Sequence, residues 1–110
     1  MFNRQDIPKL KQDLLIESNL LGSKLNLKTR WGVFSPRAID DGTILFMQYL
    51  DIAKDDKCLD LGCGYGPIGL SVAKSCPAGE VHMGDQGFLA VALSNASADL
   101  NNINYHEAYL

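Results

Sequence analysis

Asp60-Leu61-Gly62-Cys63-Gly64-Tyr65-Gly66-Pro67-Ile68-Gly69 sets one carboxylate against four glycines. Glycine takes positive φ without strain and lets backbone come close to a ligand. The strand-like segment Lys57 to Leu61 leads into this run. Pro67 opens the helix-like segment that follows, and proline suits a first helical turn because its missing N–H is not needed there. A strand, a glycine turn and a helix N-terminus together make a nucleotide-type cradle whose backbone N–H groups point at the guest.

Two guests fit that pattern. Gly64-x-Gly66-x-x-Gly69 satisfies the dinucleotide fingerprint, and Asp85 lies about 20 residues on, where a ribose-binding acid belongs. Asp60 separates the two. A carboxylate at the strand exit repels a pyrophosphate and attracts a cationic amino group. S-adenosylmethionine carries such a group, a sulfonium and a ribose, and no phosphate. Charge therefore favours it over NAD.

The elements that must position these residues read as follows. Residues 1–17 are mixed polar and charged, an N-terminal arm or helix. Residues 18–34 form a hairpin, with Leu25 and Leu27 alternating against Lys24, Asn26 and Lys28 and a turn at Gly22-Ser23. Asp40-Asp41 opens a helix, where acidic residues satisfy free N–H groups. Ile44, Met47 and Leu50 mark its buried stripe. Strands at 57–61 and 80–84 alternate with helices from Pro67 to about Lys74 and over 86–100, the latter with Leu89, Leu93, Ala96 and Leu100 on one face. Asn101-Asn102 closes that helix and Ile103 to Leu110 begins a third strand. From residue 57 the order is β-α-β-α-β, the opening of a doubly wound parallel sheet. The glycine turn and Asp85 then share one crevice at the carboxyl ends of the strands.

Composition bounds the rest. A chain of 110 residues is at most one domain, and 46% hydrophobic with 21% charged is ordinary for a globular protein. No apolar run reaches the roughly 20 residues of a membrane span, and no signal peptide is visible, so no membrane partner is expected. Cys58, Cys63 and Cys76 lack disulfide or metal-ligand spacing, which fits a reducing cytoplasm and no metal. The net charge of −3 is uneven: residues 1–40 hold seven Lys/Arg and four Asp/Glu, residues 41–110 three and nine. The basic end is a hint of a polyanion partner.

Gly32-Val33-Phe34-Ser35, Ile39-Asp40-Asp41-Gly42-Thr43, the glycine run and Leu100-Asn101-Asn102-Ile103 stand in the order of the methyltransferase small-domain family. Over residues 19–104 the chain resembles the ribosomal-RNA guanine-N2 methyltransferases of that family. The resemblance implies an α/β, Rossmann-like class I methyltransferase fold, S-adenosylmethionine as cofactor and an RNA base amine as acceptor. It also implies roles. Asp60, Gly62, Cys63, Gly64 and Gly66 hold the cofactor, Asp85 takes the ribose hydroxyls with Gln86 beside it, and Phe34, Ser35 and Thr43 border the methionine end. Methyl transfer is then direct attack by nitrogen on the sulfonium methyl, and no catalytic acid or base is expected here.

The chain departs from the family in two places. Gln86-Gly87-Phe88 follows Asp85 where an apolar and then a polar residue are usual, and a helix opening with Gly87 is weakened by about 1 kcal/mol. No Asn-Pro-Pro-aromatic signature follows, and the fourth to seventh strands are lacking. The expectation is therefore an incomplete fold: a fragment, a truncated product or one part of a split protein that does not methylate alone. Its first parallel strand would expose an apolar edge open to self-association or a complementing chain. The alternative is an inactive remnant or partner-binding domain, with an NAD-binding domain third.

Overall fold

The computed structural model describes Pro8 and residues 11–103 and 106–110. Strands β1 (Leu14–Leu20) and β2 (Ser23–Thr29) pair antiparallel, with Leu14 opposite Thr29 and Leu20 opposite Ser23. The expected arm therefore gives way to strand from Leu14, because all of β2 finds a partner in register. Residues 1–7 and 9–10 of that arm lie outside the described residues. The turn is Leu21-Gly22 rather than Gly22-Ser23. Leu21 and Gly22 have φ of 53° and 74°, and the tight turns that match strand twist need positive φ at both central residues. Leu25, Leu27 and Thr29 are buried on one face, and Lys24 and Asn26 are exposed on the other, as the alternation requires.

Helix α1 (Asp41–Gln48) begins at Asp40, whose carboxylate accepts from the Thr43 N–H. Its expected stripe is only partly buried: Met47 is inside, while Ile44 is exposed and Leu50 half-buried. An eight-residue helix presents too few turns to bury a full stripe, and this one docks through a single side chain.

Strands β3 (Lys57–Leu61), β4 (Glu80–Gly84) and β5 (His106–Tyr109) form a parallel sheet in that order. Helices α2 (Pro67–Ser75) and α3 (Phe88–Leu100) are the crossovers. Right-handed crossovers put both on one face, and the buried residues of β4, Val81 and Met83, point there to meet Leu70, Val72 and Leu93. The other face is bare at Leu59 and Leu61, 62% and 77% exposed. Among the described residues nothing pairs with the outer edge of β3, as expected from the strand order.

Of the face that the large residues mark, helix α3 buries only Leu93. Leu100 is exposed and Leu89 and Ala96 half-buried, whereas Ala90, Leu93, Ser94, Ser97 and Ala98 are inside. Small side chains let the helix approach β2 closely enough to stand in for a strand. Asn101 accepts from the Asn26 N–H at 2.9 Å and donates to the Asn26 carbonyl at 2.6 Å; one turn earlier, the Ser97 hydroxyl accepts from the Lys28 N–H at 2.9 Å. Gly87 caps α3 rather than entering it, so the expected glycine penalty does not arise.

Candidate functional site

The glycine turn hooks over the end of β4: the Gly84 carbonyl accepts from the N–H groups of Gly62 and Cys63 at 2.7 and 3.0 Å. Gly62 and Gly64 have φ of 72° and 58°, in the left-handed region, and a Cβ on either would meet nothing within 4 Å. Their backbone thus stands open to whatever enters. Gly69 serves packing instead. A Cβ there would lie 2.4 Å from the Met83 sulfur, so only glycine lets α2 settle on β4. From α3, the buried Ser94 hydroxyl donates to the Gly64 carbonyl at 2.7 Å and fixes the turn from behind.

Beside the turn is a cavity of about 370 Å³. Three carboxylates line it: Asp40, Asp60 and Asp85. Asp85 accepts from the Gly64 N–H at 2.9 Å and the Gly87 N–H at 2.8 Å, joining the turn to the start of α3. A carboxylate has about four acceptor positions, so Asp85 retains capacity for hydroxyl donors. Asp60 accepts from the Gly69 N–H at 3.1 Å. Burial pushes its carboxyl above the ordinary value, and nearby Asp85 adds to the rise against the Gly69 hydrogen bond. Asp40 is held below the ordinary range, chiefly by the Thr43 hydroxyl at 2.6 Å. Among the described residues no lysine, arginine or histidine lines the cavity.

The far wall is the loop after β2, which brings Gly32, Val33 and Phe34 to the cavity. Phe34 is 80% exposed at the mouth. Tyr65, buried in the glycine run, donates from its hydroxyl to the Ser35 carbonyl at 3.0 Å. Burial, with Asp40 adding, pushes the Tyr65 phenol up to about 12.

Seven of the ten residues expected to bind a cofactor meet in this cavity. Phe34 and Thr43 stand on one side, Asp60, Gly62, Cys63 and Gly64 form the floor, and Asp85 stands opposite. Cys63 contributes backbone; its buried thiol, raised in pKa by burial, faces Ser94 at 3.6 Å. Three do not line it. Ser35 turns its hydroxyl back to the Ala38 carbonyl at 2.6 Å. Gly66 is spent as the N-cap of α2. Gln86 points to the bare sheet face, in a groove with Leu59, Leu61 and Tyr109. Sequence reasoning missed Asp40 and Tyr65 as members of the site. Both stood in motifs that carried the family resemblance, but Asp40 was read as a helix start and Tyr65 was given no role.

A half-covered parallel sheet with an acid-flanked glycine turn at its carboxyl end defines a Rossmann-like α/β fold, and the solved structures agree on that fold. The T. thermophilus 16S rRNA N2 G1207 methyltransferase, in complex with AdoMet and guanosine, superposes over 86% of this chain and 26% of its own at a TM-score of 0.77 and 22% identity. The chain belongs to the methyltransferase small domain family, whose profile matches residues 24–109. It is 35% identical over 91 residues to ribosomal RNA large subunit methyltransferase G of Pectobacterium atrosepticum, covering 83% of this chain and 24% of that protein. It is 40% identical over 79 residues to YbxB of Bacillus subtilis, covering 71% of this chain and 39% of that one. The chain thus spans about a quarter of the length of the methyltransferase it matches first.

Proposed function

We propose that the 370 Å³ cavity binds S-adenosylmethionine and that the chain is the cofactor-holding part of a methyltransferase acting on an exocyclic amine of an RNA base. One observation carries the reading: among the described residues, three carboxylates and no cationic side chain surround an open glycine backbone. Such a lining attracts an ammonium and a sulfonium and rejects a diphosphate. When bound, S-adenosylmethionine supplies a methyl group made electrophilic by its sulfonium. The chain's own residues bind and orient. Asp85 accepts from ribose hydroxyls with its free lone pairs, Asp60 faces the positive end, Gly62 and Gly64 admit the ligand against bare backbone, and Phe34 and Thr43 border the methionine end. Nothing here moves a proton, because alignment of donor and acceptor is the main demand of the transfer.

The named relatives support ribosomal RNA as the acceptor class, and the basic first 40 residues suit a polyanion. Three free cysteines and an RNA substrate suit the cytoplasm. Calorimetric titration of the chain with S-adenosylmethionine and with NADH tests the cofactor. Saturable heat with the first and none with the second is expected; the reverse overturns the reading.

We also propose that the open edge of β3 takes a complementing segment. A groove of about 620 Å³ runs along it, floored by Phe46, Leu50, Ile52, Ile68 and Val72, and unpaired apolar edges recruit strands. In the isolated chain, hydrogen exchange should be fast at β3 amides that point away from β4. Strong protection there in a monomer refutes it.

A further inference from the structure

We propose, resting on the cofactor site above, that Tyr65 is a positioning residue whose phenol ties the glycine turn to the Trp31–Ser35 loop, so that cradle and mouth of the cavity are held as one unit. The ring alone does not need the hydroxyl. Tyr65 is 3% exposed, and a phenylalanine would fill the same space. The hydroxyl instead reaches a backbone carbonyl thirty residues back in the chain, at Ser35.

That carbonyl belongs to an unusual residue. Ser35 has φ of 52°, which side-chain-bearing residues adopt only where the surroundings over-determine it. The over-determination is visible. The Ser35 hydroxyl donates to the Ala38 carbonyl, the Thr29 hydroxyl donates to the Pro36 carbonyl, and Tyr65 holds the Ser35 carbonyl from the cavity side. Two of these ties are internal to the segment from β2 to α1. Tyr65 alone of the three links it to the residues that would touch the cofactor. Burial, with Asp40 adding, favours the protonated, donating form of the phenol. The consequence is a fixed place for Phe34, whose ring is exposed at the mouth although its neighbours are tied, Val33 through its N–H to the Arg30 carbonyl and Ser35 through its carbonyl to Tyr65.

Trp31 is the sole tryptophan of the chain, lies in this loop and is 41% exposed, so it reports directly on the tether. The test compares the full chain with Tyr65→Phe. Acrylamide quenching of Trp31 should rise about twofold, and affinity for S-adenosylmethionine should fall about 2- to 10-fold, the range of one neutral hydrogen bond. In a Phe34→Ala background the same change should cost little further affinity, since both act through one loop. Unchanged quenching in Tyr65→Phe overturns the proposal, as does an additive loss in the double variant. A Tyr65→Phe chain that no longer folds also overturns it, by making the phenol a structural prop. If the parent chain takes up no S-adenosylmethionine, the cofactor reading fails separately and Trp31 quenching still decides the tether.

Discussion

Replacing Asp85 by asparagine separates its structural work from its proposed binding work. The carboxylate accepts two backbone hydrogen bonds, from Gly64 at 2.9 Å and Gly87 at 2.8 Å. A hydrogen bond to a charged group contributes about 1.5–3 kcal/mol, and the half-buried position of Asp85 places both near the lower end. Asparagine offers one carbonyl and one NH2, so it keeps one acceptor and turns a donor toward the other N–H. The retained bond becomes neutral and is worth about 1 kcal/mol. The expected loss is therefore about 2 kcal/mol, or a fall in Tm of about 8 °C at roughly 4 °C per kcal/mol for a chain of this size. Asp85→Ala, with no acceptor at all, should lose more. Calorimetric unfolding of both variants with the parent at pH 7 is the assay, followed by titration with S-adenosylmethionine at a temperature where all are folded. Affinity should fall at least 10-fold in both, since each hydroxyl donor loses a charged acceptor. Two outcomes refute the reasoning: an asparagine variant as stable as the parent, or one that binds the ligand equally well.

Three further predictions test neighbouring features. Asp60→Asn should stabilise the chain at pH 7 and not at pH 3. Burial favours the neutral form of Asp60 in the folded state, so its contribution is complete below the ordinary value of 3.8 and is lost as pH rises through the raised one; urea midpoints at the two pH values check the sign. Gly69→Ala places a Cβ 2.4 Å from the Met83 sulfur, in a fully buried residue. Overpacking of about 1–3 kcal/mol outweighs about 1 kcal/mol of helix propensity, and urea unfolding should show a net loss of about 1 kcal/mol. Asn101→Ala removes both side-chain bonds to Asn26 and should cost about 1–2 kcal/mol by the same measurement, with faster hydrogen exchange at the Asn26 amide.

The parallel half of the fold was legible because its signals are local. The glycine run, Pro67 and the acid at the end of β4 each demand a particular backbone, and the strand and helix order follows from them. The N-terminal hairpin was legible as a type but misplaced at its turn, because a leucine in the left-handed region leaves no trace in composition. The faces of α1 and α3 were misread for different reasons: α1 is too short to bury a full stripe, and α3 puts small residues inside. Periodicity of large apolar residues assumes that the largest side chains go inside. In α3 Leu93 shares the buried face with alanines and serines, because β2 meets that face partly through its backbone. A helix that substitutes for a strand needs small residues with hydrogen-bonding tips, and no hydrophobic pattern marks that.

The site shows the same division. Asp60, Gly62, Gly64 and Asp85 are visible in sequence because they sit at strand ends, where chain order alone brings them together. Asp40 and Tyr65 were not assigned to the site: the loop before α1 delivers Asp40, and Tyr65 stands inside the glycine run, where its tie to Ser35 shows only in the structure. Yet Asp40 changes the electrostatic argument. With Asp60 alone the preference for a cationic guest rests on one acid whose pKa burial raises. Asp40, whose pKa the Thr43 hydroxyl lowers, adds to the lining a second carboxylate that favours its ionised form. The cavity therefore stays anionic even where Asp60 carries a proton, and its selectivity against a diphosphate should outlast the titration of the motif's own carboxylate.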